Sequence, residues 1–127
     1  MRTLAGAAIA LAIGSSGSLA LAQTGDAARG QRLFNQQCRA CHTLDKGGAS
    51  TTGPNLHGLF GRKAGTVPGW AFSEAMINSQ IVWNDRTVAD YCADPRNMVP
   101  GTSMVYNGLK QLGQLADLVA YLKQATQ

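Results

Sequence analysis

The chain has few charged residues and no cluster of basic ones. Asp, Glu, Lys and Arg make up 14% of its 127 residues, and the formal net charge is +4. Nucleic-acid-binding domains concentrate Lys and Arg on one face or along one helix, whereas here the basic residues are scattered. The sequence therefore argues against nucleic-acid binding, and its mild positive charge suits weak steering toward an acidic protein partner.

The chain also lacks an apolar run that would cross a bilayer. The run Leu4–Ile13 is shorter than the roughly 20 residues that a membrane-spanning helix needs. Arg2 precedes it and the pattern Ala20-x-Ala22 follows, which is typical of a cleavable secretory signal peptide. We predict a signal peptide at 1–22 and a mature domain at 23–127 with a formal charge of +3, since Arg2 is lost. An uncleaved anchor is the alternative.

Cysteines and strand patterns are scarce as well. Small exported domains commonly rely on disulfides, but three cysteines leave one without a partner. Alternating apolar and polar residues, which would indicate strands, are nearly absent. Capping residues and helical periodicity instead predict an all-α fold. We expect helices from the Asp26 cap to about Cys38, from Ser73 to Ser79, from Asp85 to Ala93 (stopped by Pro95), and from about Gln111 to Gln124.

The two terminal helices are predicted to pack against each other. Apolar residues recur at helical spacing in both, and Gly30 would let another helix approach closely. The inward positions are Ala27, Gly30, Leu33 and Phe34 in the first helix, and Leu112, Leu115, Ala116, Leu118, Val119, Tyr121 and Leu122 in the last.

Glycine, in contrast, is abundant in the middle of the chain. Gly and Pro interrupt the segment Thr43–Gly69 so often that we predict neither helix nor strand there. Long irregular loops are uncommon in compact domains unless they are functional. This segment would have a purpose if it wrapped a large ligand.

One motif indicates what such a ligand would be. Cys38-Arg39-Ala40-Cys41-His42 is C-x-x-C-H, the attachment signature of c-type haem. Two cysteines three positions apart lie on one face of a helical turn, where each thiol can add to a haem vinyl group. His42 follows directly and offers an imidazole nitrogen to the iron.

Three other interpretations compete with haem attachment. A thioredoxin-like redox pair would lie near a βαβ pattern, which is not visible. A zinc site needs four ligands, and these could be assembled only from Cys38, Cys41, Cys92 and His57, without the usual paired spacing. A disulfide between Cys38 and Cys41 would close a very small loop and stabilise little. We favour covalent haem.

From Gly25 to Gln127 the chain resembles the class I c-type cytochromes of the mitochondrial type and their short bacterial relatives. The resemblance is carried by an ordered series of segments: CRACHTL, GPNLHGLFGRKAG, Trp83, ADYCADPRN, VPGTSM and LVAYLKQAT. It implies the small cytochrome c fold, in which the terminal helices cross and short helices and long loops wrap one covalent haem c.

The resemblance also implies the iron ligands. Cys38 and Cys41 correspond to the thioether cysteines, and His42 to the proximal ligand. Pro54 corresponds to the proline whose carbonyl accepts the other N–H of that histidine. Met104 corresponds to the second axial ligand, and His/Met ligation raises the reduction potential. Chemistry alone would also allow Met76 or Met98, which the resemblance makes core and packing residues.

Further residues correspond to groups around the haem. Arg62, Trp83, Ser73 and Thr102 correspond to donors to the propionates, and Tyr91 to a tyrosine whose hydroxyl bonds the methionine sulfur. The chain departs from the family at two positions, where Phe72 replaces a common tyrosine and Met76 a common asparagine. Tyr106 stands where an aromatic residue shields the haem edge, and Cys92 is expected to be a buried, inert thiol.

The function implied is one-electron transfer in the periplasm without enzymatic turnover. The expected partners are quinol–cytochrome c reductase on one side and cytochrome c oxidase or a reaction centre on the other, met by transient electrostatic docking of a monomer. Arg32, Arg96 and Lys110 keep their charge on the docking face. Five other positions that are commonly lysine in mitochondrial forms are uncharged: Gln37, Thr51, Asn97, Ser103 and Gln111.

Two other functions remain open at this stage. One is a dedicated cytochrome subunit, or acceptor, of a periplasmic dehydrogenase, which would have the same fold and site. The other is a haem gas sensor or peroxidase, which needs an open or easily vacated sixth coordination position.

Overall fold

The computed structural model describes residues 24–127, so the predicted signal peptide lies outside the described residues. Within them the fold is all-α, as predicted, and the only β pairing is an isolated antiparallel bridge between Lys63 and Val82. The helices are α1 (Ala27–Gln37), α2 (Glu74–Asn78), α3 (Asp85–Ala93), α4 (Pro95–Met98) and α5 (Leu112–Ala125).

Side-chain caps mark the starts of α1, α2 and α3. The Asp26 side chain accepts a hydrogen bond from the backbone N–H of Arg29, and Ser73 caps α2 in the same way. Asn84 forms a capping box at the start of α3. Each cap satisfies backbone donors that the first helical turn leaves without intrahelical partners.

Helix α4 was not predicted from the sequence. Asp94 caps it, and Pro95 occupies its first turn, where a proline fits because its missing N–H is not needed. Pro95 was interpreted only as the end of the preceding helix. It does both: α3 ends at Ala93, and a new short helix begins two residues later.

Helices α1 and α5 cross at Gly30, as predicted. A Cβ atom at Gly30 would lie 1.9 Å from the carbonyl oxygen of Asp117, so the crossing requires glycine. One turn further along α1, the rings of Phe34 and Tyr121 pack with centroids 5.8 Å apart. Phe34 and Leu118 are both buried, and the crossing thereby brings the two ends of the chain into one core.

Two residues of α5 differ from the prediction. Leu112 was expected to face inward but is 77% exposed, because it is the first residue of α5 and lies ahead of the part that meets α1. Asp117 is buried on the face of α5 that was predicted to pack inward because of its apolar residues. Its carboxylate is satisfied there, since it accepts hydrogen bonds from Asp26 N at 2.6 Å and Arg29 Nε at 2.8 Å.

The glycine-rich segment 43–69 has no helix, as predicted, and backbone hydrogen bonds attach it to the rest of the fold. Gly58 N–H donates to the carbonyl of Thr126, beyond the end of α5, and Gly61 N–H donates to that of Trp83. The segment is therefore held across the side of the helical core. No helix in the described part of the chain is long and apolar enough to cross a membrane.

Candidate functional site

A cavity of about 240 Å³ lies between the terminal helices and the long loops. Residues from the whole described chain meet at its walls, although they are far apart in sequence. All ten residues predicted for the site line it: Cys38, Cys41, His42, Pro54, Arg62, Ser73, Trp83, Tyr91, Thr102 and Met104.

One wall carries the C-x-x-C-H turn. After α1 ends, the backbone N–H groups of Cys41 and His42 both donate to the carbonyl of Cys38 at 3.0 Å, so the motif forms a tight turn at the cavity. His42 Nδ1 lies 2.8 Å from the carbonyl oxygen of Pro54. With Nδ1–H as donor to that oxygen, Nε2 is the nitrogen left for a metal.

The surroundings of His42 favour a neutral, fixed imidazole. Burial lowers its pKa, and the bond to Pro54 offsets part of that effect. A Cβ atom on Gly53 would lie 2.6 Å from His42 Cε1, so the ring occupies space that only glycine leaves free. A neutral imidazole with one orientation is the form that ligates iron.

The alternative roles of the cysteines receive no support. Cys38, Cys41 and Cys92 form no disulfide with one another. Burial raises the pKa of the Cys38 thiol to about 11, unlike the lowered pKa of thioredoxin-type cysteines. Among residues 24–127 no three His, Cys, Asp or Glu side chains are grouped as metal ligands, so the four residues considered for a zinc site are not brought together.

Met104 lies on the cavity wall in the segment between α4 and α5. Thr102 orients this segment, because its backbone N–H donates to the carbonyl of Val99 and its Oγ1 accepts a hydrogen bond from Met104 N at 3.3 Å. The Tyr91 hydroxyl lies 2.6 Å from the same Oγ1. A buried tyrosine on α3 is therefore connected to the Met104 backbone through one threonine hydroxyl.

Tyr91 was expected to bond the Met104 sulfur, and Thr102 to bond a propionate, and both roles stay predictions. In the structure the two hydroxyl groups pair with each other. Both side chains still line the cavity.

The three candidate methionines separate in space. Met98 does not line the cavity but a hollow elsewhere on the surface, with Ile81 and Pro100 among its neighbours. Met76 lines the cavity but is a buried core residue of α2. Met104 lines the cavity from an irregular segment.

Three further residues of the cavity wall, Arg62, Ser73 and Trp83, carry N–H or O–H groups that can donate hydrogen bonds. Arg62 Nη1 donates to the carbonyl of His57 at 2.7 Å, and burial lowers the pKa of the guanidinium from its high ordinary value. Ser73 Oγ accepts a hydrogen bond from Met76 N, which leaves its own hydrogen to donate. Trp83 is buried and supplies an indole N–H.

Sequence reasoning missed the part that Gln37 plays in the site. It was assigned to the outer surface only, yet it lines the cavity and accepts a hydrogen bond from the Tyr106 hydroxyl. Its position directly before Cys38 was the available signal. Cys92 also lines the cavity, and burial raises the pKa of its thiol to about 12, in keeping with an inert group.

The set of groups fits a haem. Two thiols and an imidazole lie on one wall, a thioether lies on a separate segment, and basic and hydroxyl donors suited to carboxylates lie elsewhere on the wall. The rest of the lining is largely apolar, as a large porphyrin face requires. Cys38 and Cys41 would hold the group covalently, and His42 would supply a nitrogen ligand to its iron.

Comparison with known proteins agrees with this chemistry. The family model for cytochrome c matches residues 27–126. The chain is 47% identical over 105 residues to cytochrome c of Sesamum indicum, which covers 83% of this chain and 95% of the relative. It is 46% identical to cytochrome c of Chlamydomonas reinhardtii (86% and 97% covered) and 48% identical to that of Theileria annulata (80% and 88% covered). The chain therefore belongs to the cytochrome c family, as a class I c-type cytochrome with one haem c covalently attached through Cys38 and Cys41.

Proposed function

We propose that the protein is a periplasmic one-electron carrier whose haem iron is held between His42 and Met104. The observation that carries this proposal is the meeting of all ten predicted site residues at one cavity. Both proposed axial ligands come from segments with fixed backbone contacts: His42 through Pro54, and Met104 through Thr102. A closed coordination sphere suits electron transfer and disfavours reactions at the iron.

The chain controls the redox chemistry through ligands, burial and hydrogen bonds. The bound haem supplies a one-electron iron couple. The Pro54 carbonyl fixes the orientation of the His42 ring and increases its basicity. Met104 offers a neutral, soft sulfur, which favours the reduced metal. With the His42 ring held by Pro54 and the Met104 backbone held by Thr102, both residues would stay in place during electron transfer, which would need little rearrangement of the chain.

The proposed partners are redox proteins that dock at the edge of the cavity. Val105, next to Met104, is 89% exposed, and it lies on the cavity wall beside Tyr106. The cavity edge therefore presents apolar atoms to the outside. Together with the mild positive charge, this supports transient docking with a quinol-oxidising complex, a terminal oxidase or a reaction centre.

The periplasmic location rests on the signal pattern at 1–22 and on the haem motif. The relatives named above are described only as cytochrome c of their organisms, so they do not supply this part of the proposal. Fractionating cells that make the full-length chain tests it. A periplasmic holoprotein that begins at Gln23 supports the location, and a protein that stays in the cytoplasm contradicts it. A membrane-retained protein that keeps residues 1–22 would contradict the predicted cleavage.

A reductive titration of the purified holoprotein, followed by absorption, tests the carrier function. We expect a reversible one-electron transition, a methionine-to-iron charge-transfer band in the ferric form only, and no carbon monoxide binding by the ferrous form at neutral pH. Rapid carbon monoxide binding would favour a sensor or peroxidase. Co-purification with a dehydrogenase at fixed stoichiometry through high salt would favour the subunit function.

A further inference from the structure

The segment that carries Met104 is attached to the fold mainly at its two ends. At its beginning, the backbone N–H of Thr102 donates a hydrogen bond to the carbonyl of Val99, and the Thr102 hydroxyl is hydrogen-bonded to the Tyr91 hydroxyl. At its end, Leu109 N–H donates to the carbonyl of Cys92, on α3. Residues 103–108 between these points have no helix or strand, and Ser103 and Val105 are exposed.

One side-chain contact bridges this middle part. Within residues 24–127, the only hydrogen bond that joins 103–108 to a distant segment is donated by the Tyr106 hydroxyl to Gln37 Oε1. The two residues are 69 positions apart, and both line the haem cavity. Gln37 is the last residue of α1 and directly precedes Cys38, so its backbone is fixed by the helix and by the haem attachment.

We propose that the Tyr106–Gln37 hydrogen bond is a latch that keeps the Met104 segment closed over the haem and so controls how readily Met104 leaves the iron. The inference rests on the proposed ligation by Met104. Tyr106 is two residues beyond Met104, so outward movement of the sulfur-bearing segment would break the bond. Tyr106 and Gln37 are thus positioning residues.

The chemistry of the pair gives the latch two measurable properties. Phenol and amide are both uncharged, so its strength should not depend on ionic strength. A neutral hydrogen bond has a modest net value, so its loss should change a rate of opening by about two- to tenfold rather than unfold the protein.

The test measures the rate at which imidazole displaces Met104 in the ferric holoprotein, followed by loss of the methionine-to-iron band. At saturating imidazole this rate reports opening of the segment. Tyr106→Phe and Gln37→Leu should each raise it by about two- to tenfold. The double variant should be no faster than either single variant, because both remove the same bond. Gln37→Glu, which keeps an acceptor oxygen, should displace Met104 as slowly as the wild-type protein does.

Tyr121→Phe is the matched control, since Tyr121 packs against Phe34 away from the Met104 segment, and it should leave the rate unchanged. An unchanged rate in Tyr106→Phe, or effects that multiply in the double variant, would overturn the latch. Absence of the band from the wild-type protein would instead overturn ligation by Met104, so the two failures are distinguishable.

Discussion

At the scale of single residues, the site depends on hydrogen bonds to the groups that position the ligands. His42 has the Pro54 carbonyl, and Met104 has Thr102. The resemblance implied the first contact but not the second. A sequence pattern identifies which residue types meet a haem, whereas the choice between nearby hydroxyl partners depends on distances that only the folded chain sets.

The shared role of Thr102 leads to a prediction. Thr102→Val removes the oxygen that accepts from Met104 N and pairs with Tyr91, while it keeps the shape of the side chain. We expect the free energy of unfolding to fall by about 1–2 kcal/mol, since the Tyr91 hydroxyl loses its partner in a buried setting. Guanidinium unfolding of the holoprotein measures this. Thr102→Ser, which keeps the oxygen, should lose less than half as much; an unchanged free energy of unfolding in Thr102→Val would contradict the role of the hydroxyl.

At the scale of helices, the α1–α5 crossing holds the two ends of the chain together. Helix periodicity predicted this pair, and the close approach at Gly30 followed from its missing side chain. The burial of Asp117 could not be predicted in this way, because a carboxylate within an apolar stripe becomes tolerable only when donors on another helix reach it. The exposure of Leu112 was missed for a related reason: periodicity does not show where along α5 the partner helix begins to cover it.

Gly30→Ala tests the crossing. Alanine normally stabilises a helix by about 0.5–1 kcal/mol relative to glycine. Here the added Cβ would lie 1.9 Å from the backbone oxygen of Asp117, so we expect the opposite sign, with a loss of about 1–3 kcal/mol typical of overpacking. Thermal or guanidinium unfolding measures the change. Gln31→Ala, at the next and exposed position of α1, should not destabilise; a stabilised Gly30→Ala would contradict the crossing geometry.

Asp117 makes the crossing sensitive to acid. The hydrogen bond from Arg29, followed by that from the Asp26 backbone, lowers the pKa of the Asp117 carboxyl below its ordinary value. A group whose pKa is lower in the folded state stabilises the protein above its unfolded pKa, here about pH 4, and loses this effect as the pH falls toward the folded pKa.

We therefore expect Asp117→Asn to reduce the free energy of unfolding at pH 7, with the difference from wild type shrinking below about pH 4. Unfolding curves collected from pH 7 to pH 3 measure it. Asp90→Asn is the control, because Asp90 pairs with Arg86 at the surface of α3, where an ion pair contributes little. A difference that stays constant down to pH 3 would contradict the assigned role of the carboxylate.

At the scale of the whole molecule, sequence predicted the all-α class, the positions of four helices and the irregular middle, because caps, glycines and periodicity are local signals. Helix α4 was missed since it has only four residues, which are too few to show a helical periodicity. The meeting of Arg62, Trp83 and Met104 at one cavity was not visible from local pattern and followed from resemblance alone. The Tyr106–Gln37 contact could be predicted neither from local pattern nor from the resemblance, because it depends on the path of the Met104 segment.

The reduced charge of the docking face leads to a prediction about association. Five commonly basic positions are uncharged here, and Lys110 already donates to the Ala93 carbonyl. We expect the rate of electron transfer to an acidic redox partner to fall only modestly as ionic strength rises. Stopped-flow kinetics from low to physiological salt measure the slope. Ser103→Lys should steepen it, whereas Lys63→Gln, at a position that is not among those assigned to the proposed docking face, should not; a steep wild-type slope would contradict the weak docking charge.

The central claim is that Met104 closes the coordination of a haem held by His42, and the ferric absorption spectrum of two methionine variants tests it most directly. Met104 lines the cavity, whereas Met98 lines a separate surface hollow. Met104→Ala should abolish the methionine-to-iron charge-transfer band and open the iron to carbon monoxide in the ferrous form. Met98→Ala should leave the band intact. A band that survives Met104→Ala, or disappears with Met98→Ala, would contradict this account.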